Sequence, residues 1–239
     1  MNRKRKFIFW QSFFFIFIVL LAVYILFKSP VFNITNIIVR GNMSLTAAEI
    51  IRVSGIVSGA NIFQVNLKEA AARIHTLPLV KEAKLDRELP GTVVIQVRER
   101  RPVAMVVAQG QFVEVDEAGY YLCRGSAAAT GLPVITGMEV EAAGPGRLVK
   151  GPGLDTALRV VGDLPRELRD RLSEVHLGND GRVVLYTLEG VECRLGLPEQ
   201  VALKGNYFLQ VLNELQEKGK NIEYVDFSIV SSPVVKYSD

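Results

Sequence analysis

The sequence predicts an α+β protein: an N-terminal transmembrane helix, a small βααββ domain, then a larger mixed α/β-strand-rich domain. Three observations predict it. Residues 7–27 (FIFWQSFFFIFIVLLAVYILF) form an uncharged apolar run directly behind Arg3, Lys4, Arg5 and Lys6. From Thr35 to Arg98 the hydrophobic period passes from strand to helix and back to strand. Beyond Arg101-Pro102 the chain becomes a succession of short alternating runs between turn residues.

At about 1.5 Å per residue the apolar run is long enough to cross a hydrocarbon core of about 30 Å as a helix, despite the polar pair Gln11 and Ser12. Basic residues precede it, and only Lys28 follows closely, which makes residues 1–6 a cytoplasmic tail and residues 7–27 a single-pass type II anchor. A cleaved signal peptide competes with this reading. It fits less well, because the run exceeds the roughly 7–15 residues of a signal core and Tyr24 to Pro30 lacks a small-x-small cleavage pattern. The rest of the chain is then expected to be extracytoplasmic.

Of the 28 Lys and Arg, five lie in residues 1–30, where there is no acid; the remainder of the chain has 23 basic against 25 acidic residues. The basic excess therefore belongs to membrane insertion and does not argue for a nucleic-acid partner. The two cysteines, Cys123 and Cys193, permit one disulfide, but each stands in an apolar, strand-like context. Two free core thiols are the favoured expectation over a bridge. The sequons at Asn33 and Asn42 matter only in a host that glycosylates.

Residues 32–101 form the small domain. Thr35 to Arg40 (TNIIVR) reads as a strand ended by Gly41-Asn42. Thr46 with Glu49 makes a capping box for a helix whose apolar face is Ile50, Ile51 and Val53 and whose stop is Gly55. Asn66 and Glu69 start a second helix with Leu67, Ala71 and Ile74 on one face, closed by Leu77-Pro78. Ala83 and Leu85 alternate with charged residues, Pro90-Gly91 turns the chain, and Val93, Ile95 and Val97 alternate again.

The phrases ITNIIVRGN, GANIFQVNL and LPLVKEAKLDRELPGTVVIQVRERRPVA, in that order, resemble the POTRA domain of the bacterial cell-division family FtsQ/DivIB. POTRA folds occur elsewhere, in assembly factors among others, so the fold alone names no function. A single such domain directly after one anchor narrows the resemblance to this family.

Residues 102–239 form the larger domain. Val103–Ala108, Phe112–Val115 and Tyr120–Cys123 read as strands joined by turns at Gln109-Gly110 and Glu117-Ala118-Gly119. Gly137 to Gly153, with five glycines and two prolines, reads as a loop. Leu154 to Leu172 reads as helix, with Leu154, Leu158 and Val161 on one face and Pro165 splitting it. Glu174–Leu177, Arg182–Leu188 and Val191–Leu195 alternate as strands, and a longer helix is expected from near Pro198 to Gly219. Ile222–Val230 and Val234–Tyr237 close the chain as strands. FVEVDEAGYYL, LPVITG and IEYVDFSIVSSPVVK resemble the β domain that follows the POTRA domain in the same family.

Catalytic constellations are missing from the sequence. His75 and His176 fall in different domains, no G-x-S-x-G or S-x-x-K motif occurs, and the cysteines lack metal-site spacing. The glycine pairs at Gly144-Pro145-Gly146 and Gly151-Pro152-Gly153 have no third glycine and no P-loop lysine. Glu88 with Glu99, or Asp116 with Glu117, are imaginable as a carboxylate pair, but solvated turn and strand faces explain them more simply. The chain is expected to be no enzyme and to need no cofactor, metal or small-molecule substrate.

An extracytoplasmic domain without chemistry acts through its surface, and an unpaired strand edge is the natural place. In Ile222–Val230, Tyr224, Asp226 and Ser228 alternate with Val225, Phe227 and Ile229, so one set faces the core. An ordinary final strand without a partner is the bland alternative. The family resemblance implies docking here: a non-enzymatic divisome scaffold at the division septum, capturing FtsB/DivIC-like and FtsL-like division proteins by strand addition and helping regulate septal peptidoglycan synthesis. It places the partner site on Tyr224, Val225, Asp226, Phe227, Ser228, Val234, Val235, Lys236 and Tyr237. A membrane-anchored wall-modifying enzyme and a POTRA-type secretion or assembly factor are the rival classes.

Overall fold

A helix α1 from Arg3 to Phe27 opens the computed structural model, which describes residues 3–126, 131–218, 222–229 and 233–237. The side chains of Trp10–Phe27 are exposed throughout, and this segment is long and apolar enough to cross a membrane. A short 3-10 turn, Pro30–Phe32, leads into the domain that follows. The chain divides into two units, Met1–Glu99 and Arg100–Asp239.

In the first unit, β1 (Asn36–Arg40), α2 (Ala47–Ser54), α3 (Leu67–Ile74), β2 (Val80–Glu88) and β3 (Thr92–Glu99) give the predicted β-α-α-β-β order. The sheet order is β1-β3-β2, with β1 parallel and β2 antiparallel to the central β3. Thr46 and Asn66 cap α2 and α3 by accepting the N–H of Glu49 and of Glu69. Gly55 ends α2 in the left-handed conformation expected of it. Val93, Ile95 and Val97 of β3 are buried against Ile50, Ala70 and Ile74 of the helices. The buried face of α3 is thus centred one residue from the predicted one, on Ala70, while Leu67 and Ala71 lie at its margin.

Two contacts tie the strands to their connections. The Glu99 carboxylate accepts the backbone N–H groups of Met43 (2.8 Å), Ser44 (2.8 Å) and Leu45 (3.0 Å), fixing the passage from β1 into α2. Gly41 leaves β1 at φ +83°, and a Cβ there would stand 2.2 Å from the Val97 carbonyl oxygen, so only glycine fits.

The second unit is built on a sheet in the order β13-β12-β11-β10-β9-β7-β4-β5-β6, with β8 paired to β7. Its strands are β4 (Pro102–Ala108), β5 (Gln111–Asp116), β6 (Tyr121–Arg124), β7 (Val134–Ala142), β8 (Val149–Lys150), β9 (Leu172–Leu177), β10 (Val183–Thr187), β11 (Glu192–Gly196), β12 (Ile222–Asp226) and β13 (Val234–Tyr237). Helices α4 (Leu154–Asp163), α5 (Arg166–Arg169) and α6 (Val201–Lys218) share one core with the sheet. Leu154, Leu158, Val161, Leu168, Phe208 and Leu212 meet Val106, Val115, Val175, Leu185, Cys193, Val225 and Phe227 there. Pro165 separates α4 from α5, as the sequence predicts.

The segment Gly137–Gly153 corrects the loop expectation. β7 runs on to Ala142 and β8 pairs with it. The glycines mislead because Gly137, at φ +88°, serves a bulge: β4 advances from Val106 to Ala108 while β7 advances from Ile135 to Val140. A Cβ at Gly137 would lie 2.0 Å from the Leu177 carbonyl oxygen. A second correction concerns Pro198, which lies in the bend before α6 rather than in its first turn.

Asp116 organises the β5–β6 turn. It is 2% exposed, pairs with Arg100 at 2.7 Å, and accepts the N–H of Ala118 (3.0 Å) and Tyr120 (2.9 Å). Arg100 also stacks on the Tyr120 ring, 3.7 Å from its centroid.

Burial by itself would raise the pKa of Glu99, but the backbone donors of Ser44, Met43 and Leu45 outweigh it and hold the carboxyl below its ordinary value. A carboxyl depressed in the folded state stabilises above its unfolded pKa, and that contribution is lost as the pH falls through the folded pKa. Glu99→Gln is expected to cost about 1–2 kcal/mol at pH 7 in urea unfolding of the full chain in detergent. The difference from wild type narrows below about pH 4.3 and closes below the folded pKa.

Candidate partner-binding edge

The alternation in β11 and β12 sorts their residues into two faces. Cys193 pairs in register with Val225 on the helix-covered face, while Glu192 with Tyr224 and Arg194 with Asp226 lie on the face the helices leave open. Phe227 follows β12, donates its N–H to the Arg194 carbonyl (2.8 Å), and packs edge-on to Phe208 of α6 at 6.3 Å between centroids.

On the open face the Tyr224 ring sits between two cations. The Arg194 guanidinium lies 4.1 Å and the Lys236 ammonium 5.8 Å from its centroid. Arg194 is held by Glu192 at 2.7 Å and Lys236 by Glu223 at 2.6 Å. The bond to Glu223 raises the Lys236 pKa. Further along, burial and then the carboxylates of Glu192 and Glu174 push the Tyr186 phenol upward.

β12 is therefore no edge: β11 flanks it on one side in parallel and β13 on the other in antiparallel. Among the described strands the sheet path ends at β13 and, at its far side, at β6. β13 presents Val234 and Tyr237 as exposed apolar side chains, Lys236 exposed, and Val235 half-buried against the core.

The nine predicted site residues divide accordingly. Val225 and Phe227 are buried, 0% and 1% exposed, and cannot meet a partner in this fold; their place in the predicted site is corrected to the core. Ile229, expected to share their face, is exposed because the strand ends at Asp226 and the chain bends after Phe227. Asp226 accepts the Ser228 N–H at 2.8 Å, a local turn that ends the strand. Tyr224, Ser228, Val234, Val235, Lys236 and Tyr237 retain surface. Val230, Ser231 and Ser232 lie outside the described residues. Sequence reading missed Arg194, Glu192 and Glu223, whose signal is two-residue alternation of charge beside a tyrosine, legible only once the strand pairing is known.

The positions weighed for catalysis take structural places. Thr136, Glu174 and His176 cluster on β7 and β9, the Thr136 hydroxyl bonding Glu174 and lying 2.8 Å from His176 Nδ1. Glu174 lies against that same nitrogen at 3.8 Å, so hydroxyl and carboxylate share one side of the imidazole, whereas a triad sets them on opposite nitrogens. His75 is the exposed C-cap of α3. Both cysteines are free, but Cys123 is exposed, not the core thiol expected. The outward face of β6 places it beside Glu114 (3.3 Å), and partial burial with that carboxylate pushes its thiol up to about 11. Burial pushes Cys193 upward as well. Among the described residues no group of three or more His, Cys, Asp or Glu is placed to hold a metal ion.

Known proteins match along the whole chain. A family model described as POTRA domain, FtsQ-type matches residues 32–100, and one described as cell division protein FtsQ/DivIB, C-terminal, matches residues 104–228, stopping before β13. The cell division protein DivIB of Geobacillus kaustophilus is 29% identical over 241 residues, covering 98% of this chain and 86% of its own. The cell division protein FtsQ of Syntrophotalea carbinolica is 30% identical over 216 residues, covering 88% of this chain and 76% of its own. The solved major extracytoplasmic domain of DivIB from Geobacillus stearothermophilus aligns with 50% of this chain and 96% of its own, at 21% identity and a TM-score of 0.35.

Burial predicts opposite outcomes for the two ends of the predicted site. Phe227→Ala is expected to destabilise the larger unit by about 3–5 kcal/mol through the cavity it leaves beside Phe208. Val234→Ala, 57% exposed, is expected to stay within about 0.5 kcal/mol of wild type. Thermal unfolding of the two variants side by side checks both.

Proposed function

Because the chain belongs to the FtsQ/DivIB family of cell division proteins, we propose that it is a non-catalytic scaffold of the division machinery that captures an FtsB/DivIC-like subunit at the β13 edge. An FtsL-like subunit joins through that one, and the assembly helps regulate septal peptidoglycan synthesis at the division septum. The apolar helix α1 supports a type II, single-pass placement, with the chain beyond α1 on the outer side of the plasma membrane.

The observation that carries this reading is the terminal position of β13 in the sheet, with Val234 and Tyr237 exposed along it. A strand in that position leaves backbone N–H and C=O groups along its outer side for an incoming strand, and alternate side chains set the register. Lys236 and Arg194, packed on Tyr224, are each paired with a carboxylate, Glu223 and Glu192, so the face beside the edge is an ion-paired polar surface, and strand addition there is carried by backbone and apolar side chains. Ser228 and Tyr224 flank this surface, whereas Val225 and Phe227 hold it in place from beneath.

The sharing of one His176 nitrogen by Thr136 and Glu174 and the elevated Cys123 thiol favour a scaffold over a wall-modifying enzyme. The experiment is capture of the organism's own FtsB/DivIC-like subunit by the tagged full chain in detergent. Val234→Asp and Tyr237→Asp are each expected to weaken capture about tenfold, about 1.4 kcal/mol, with the fold unchanged. Undiminished capture by both variants would remove β13 as the docking edge.

A further inference from the structure

The end of the smaller unit where α1 enters carries its own apolar surface. Residues 32–36 gather three connections there. Ile34 donates its N–H to the Ala60 carbonyl (2.8 Å) and accepts from Gly59 N–H (2.8 Å) and the Ser58 hydroxyl (3.1 Å). Ile62 donates to the Phe32 carbonyl (2.9 Å), and Thr35 donates to the carbonyl of Gly91 in the β2–β3 turn (2.8 Å). Each connection then presents an apolar side chain to the outside: Val31 (64% exposed) before β1, Val57 (66%) and Phe63 (37%) between α2 and α3, and Leu89 (59%) between β2 and β3.

This surface meets the anchor at Phe63. Phe27, the last residue of α1 and of its membrane-crossing segment, meets Phe63 edge-on at 4.8 Å between centroids, and Phe32 completes the cluster at 5.1 Å from Phe63. The Phe27 carbonyl, one of those a helix end leaves without an intrahelical donor, accepts the Asn61 amide N–H at 2.8 Å. Tyrosine at the end of a spanning helix occupies the boundary between acyl chains and headgroups, and Tyr24, with Lys28 against its ring, sets that boundary within a turn of Phe27. Phe63, in contact with Phe27, is therefore carried to that depth.

We propose that this end of the smaller unit is a second membrane contact, in which Val31, Val57, Phe63 and Leu89 seat in the outer-leaflet interface of the bilayer that α1 crosses. The occupant is lipid, because Phe63 of this surface packs directly on Phe27, the terminal residue of the spanning helix, and Asn61 holds the same helix end. The unit leaves the membrane in a set pose, clamped by Asn61 and Phe63, and does not swing on a free tether. Met43, also exposed, lies beyond the other end of β1, about 17 Å of strand away, and stays in water.

The proposal rests on α1 spanning the membrane, and the single tryptophan, Trp10, separates the two claims. The full-length protein is reconstituted in phosphatidylcholine vesicles brominated high on the acyl chain. Trp10 quenched in wild type verifies the anchor. In a Trp10→Phe background, Phe63→Trp and Leu89→Trp are expected to emit at blue-shifted wavelength and lose most of their emission to bromine, with Met43→Trp unaffected. Water-like, unquenched emission from both the 63 and 89 variants, with wild-type Trp10 quenched, overturns the membrane seat alone; blue-shifted but unquenched emission overturns it in favour of cover by an apolar protein segment. Quenching at 43 as strong as at 63 overturns the stated pose. Unquenched Trp10 in wild type removes the anchor, and the seat with it.

Discussion

The burial of Val225 and Phe227 beneath the helices is what the rest of the C-terminal end depends on. Phe227 against Phe208 and Val225 beside Cys193 draw β12 onto β11, although the two strands run parallel and are separated in sequence by the whole of α6. A parallel pairing needs such a crossover, and the helix that makes it also supplies the cover. With β12 held, β13 folds back antiparallel onto it and becomes the last strand of the path. Removing the apolar anchor would free both strands from the sheet.

The two ends of that sheet are unlike. β6 closes one end with Cys123 and Arg124 exposed, the Cys123 thiol bonded to Glu114. β13 closes the other with Val234 and Tyr237 exposed and a cation–tyrosine–cation stack beside it. Exposed apolar side chains on a strand that ends a sheet invite pairing, and proteins ordinarily blunt such edges with charge. In the proposed scaffold the incoming strand of a division subunit meets that invitation. The glutamates that hold Arg194 and Lys236 keep both cations over Tyr224 and so prepare the face before a partner arrives.

Much of the fold was legible because local chemistry and the fold agree. Thr46, Asn66 and Gly55 act at the helix ends where their side chains or conformational freedom predict. Val93, Ile95 and Val97 face the core on the two-residue period. Legibility failed where glycine served a bulge and not a turn, as at Gly137, because composition cannot distinguish the two. The candidate site was legible as a region only. Period two separates Tyr224 from Val225, but not which set is buried, nor that β13 would pair outside β12. Arg194 reaches Tyr224 through a pairing between residues thirty apart in sequence, which no local signal encodes. Asp116 and Glu99, carboxylates that invite a catalytic reading, instead hold backbone N–H groups at two turns.

Backbone hydrogen exchange tests the proposed docking most directly, because strand addition acts on amides whatever side chains accompany it. The measurement compares the full chain in detergent with and without the extracytoplasmic part of its FtsB/DivIC-like subunit. Outward amides of Val234–Tyr237 slowed on binding, with β6 unchanged, is the result predicted. Protection of other surfaces in the bound complex, with β13 exchanging as in the free protein, would contradict it.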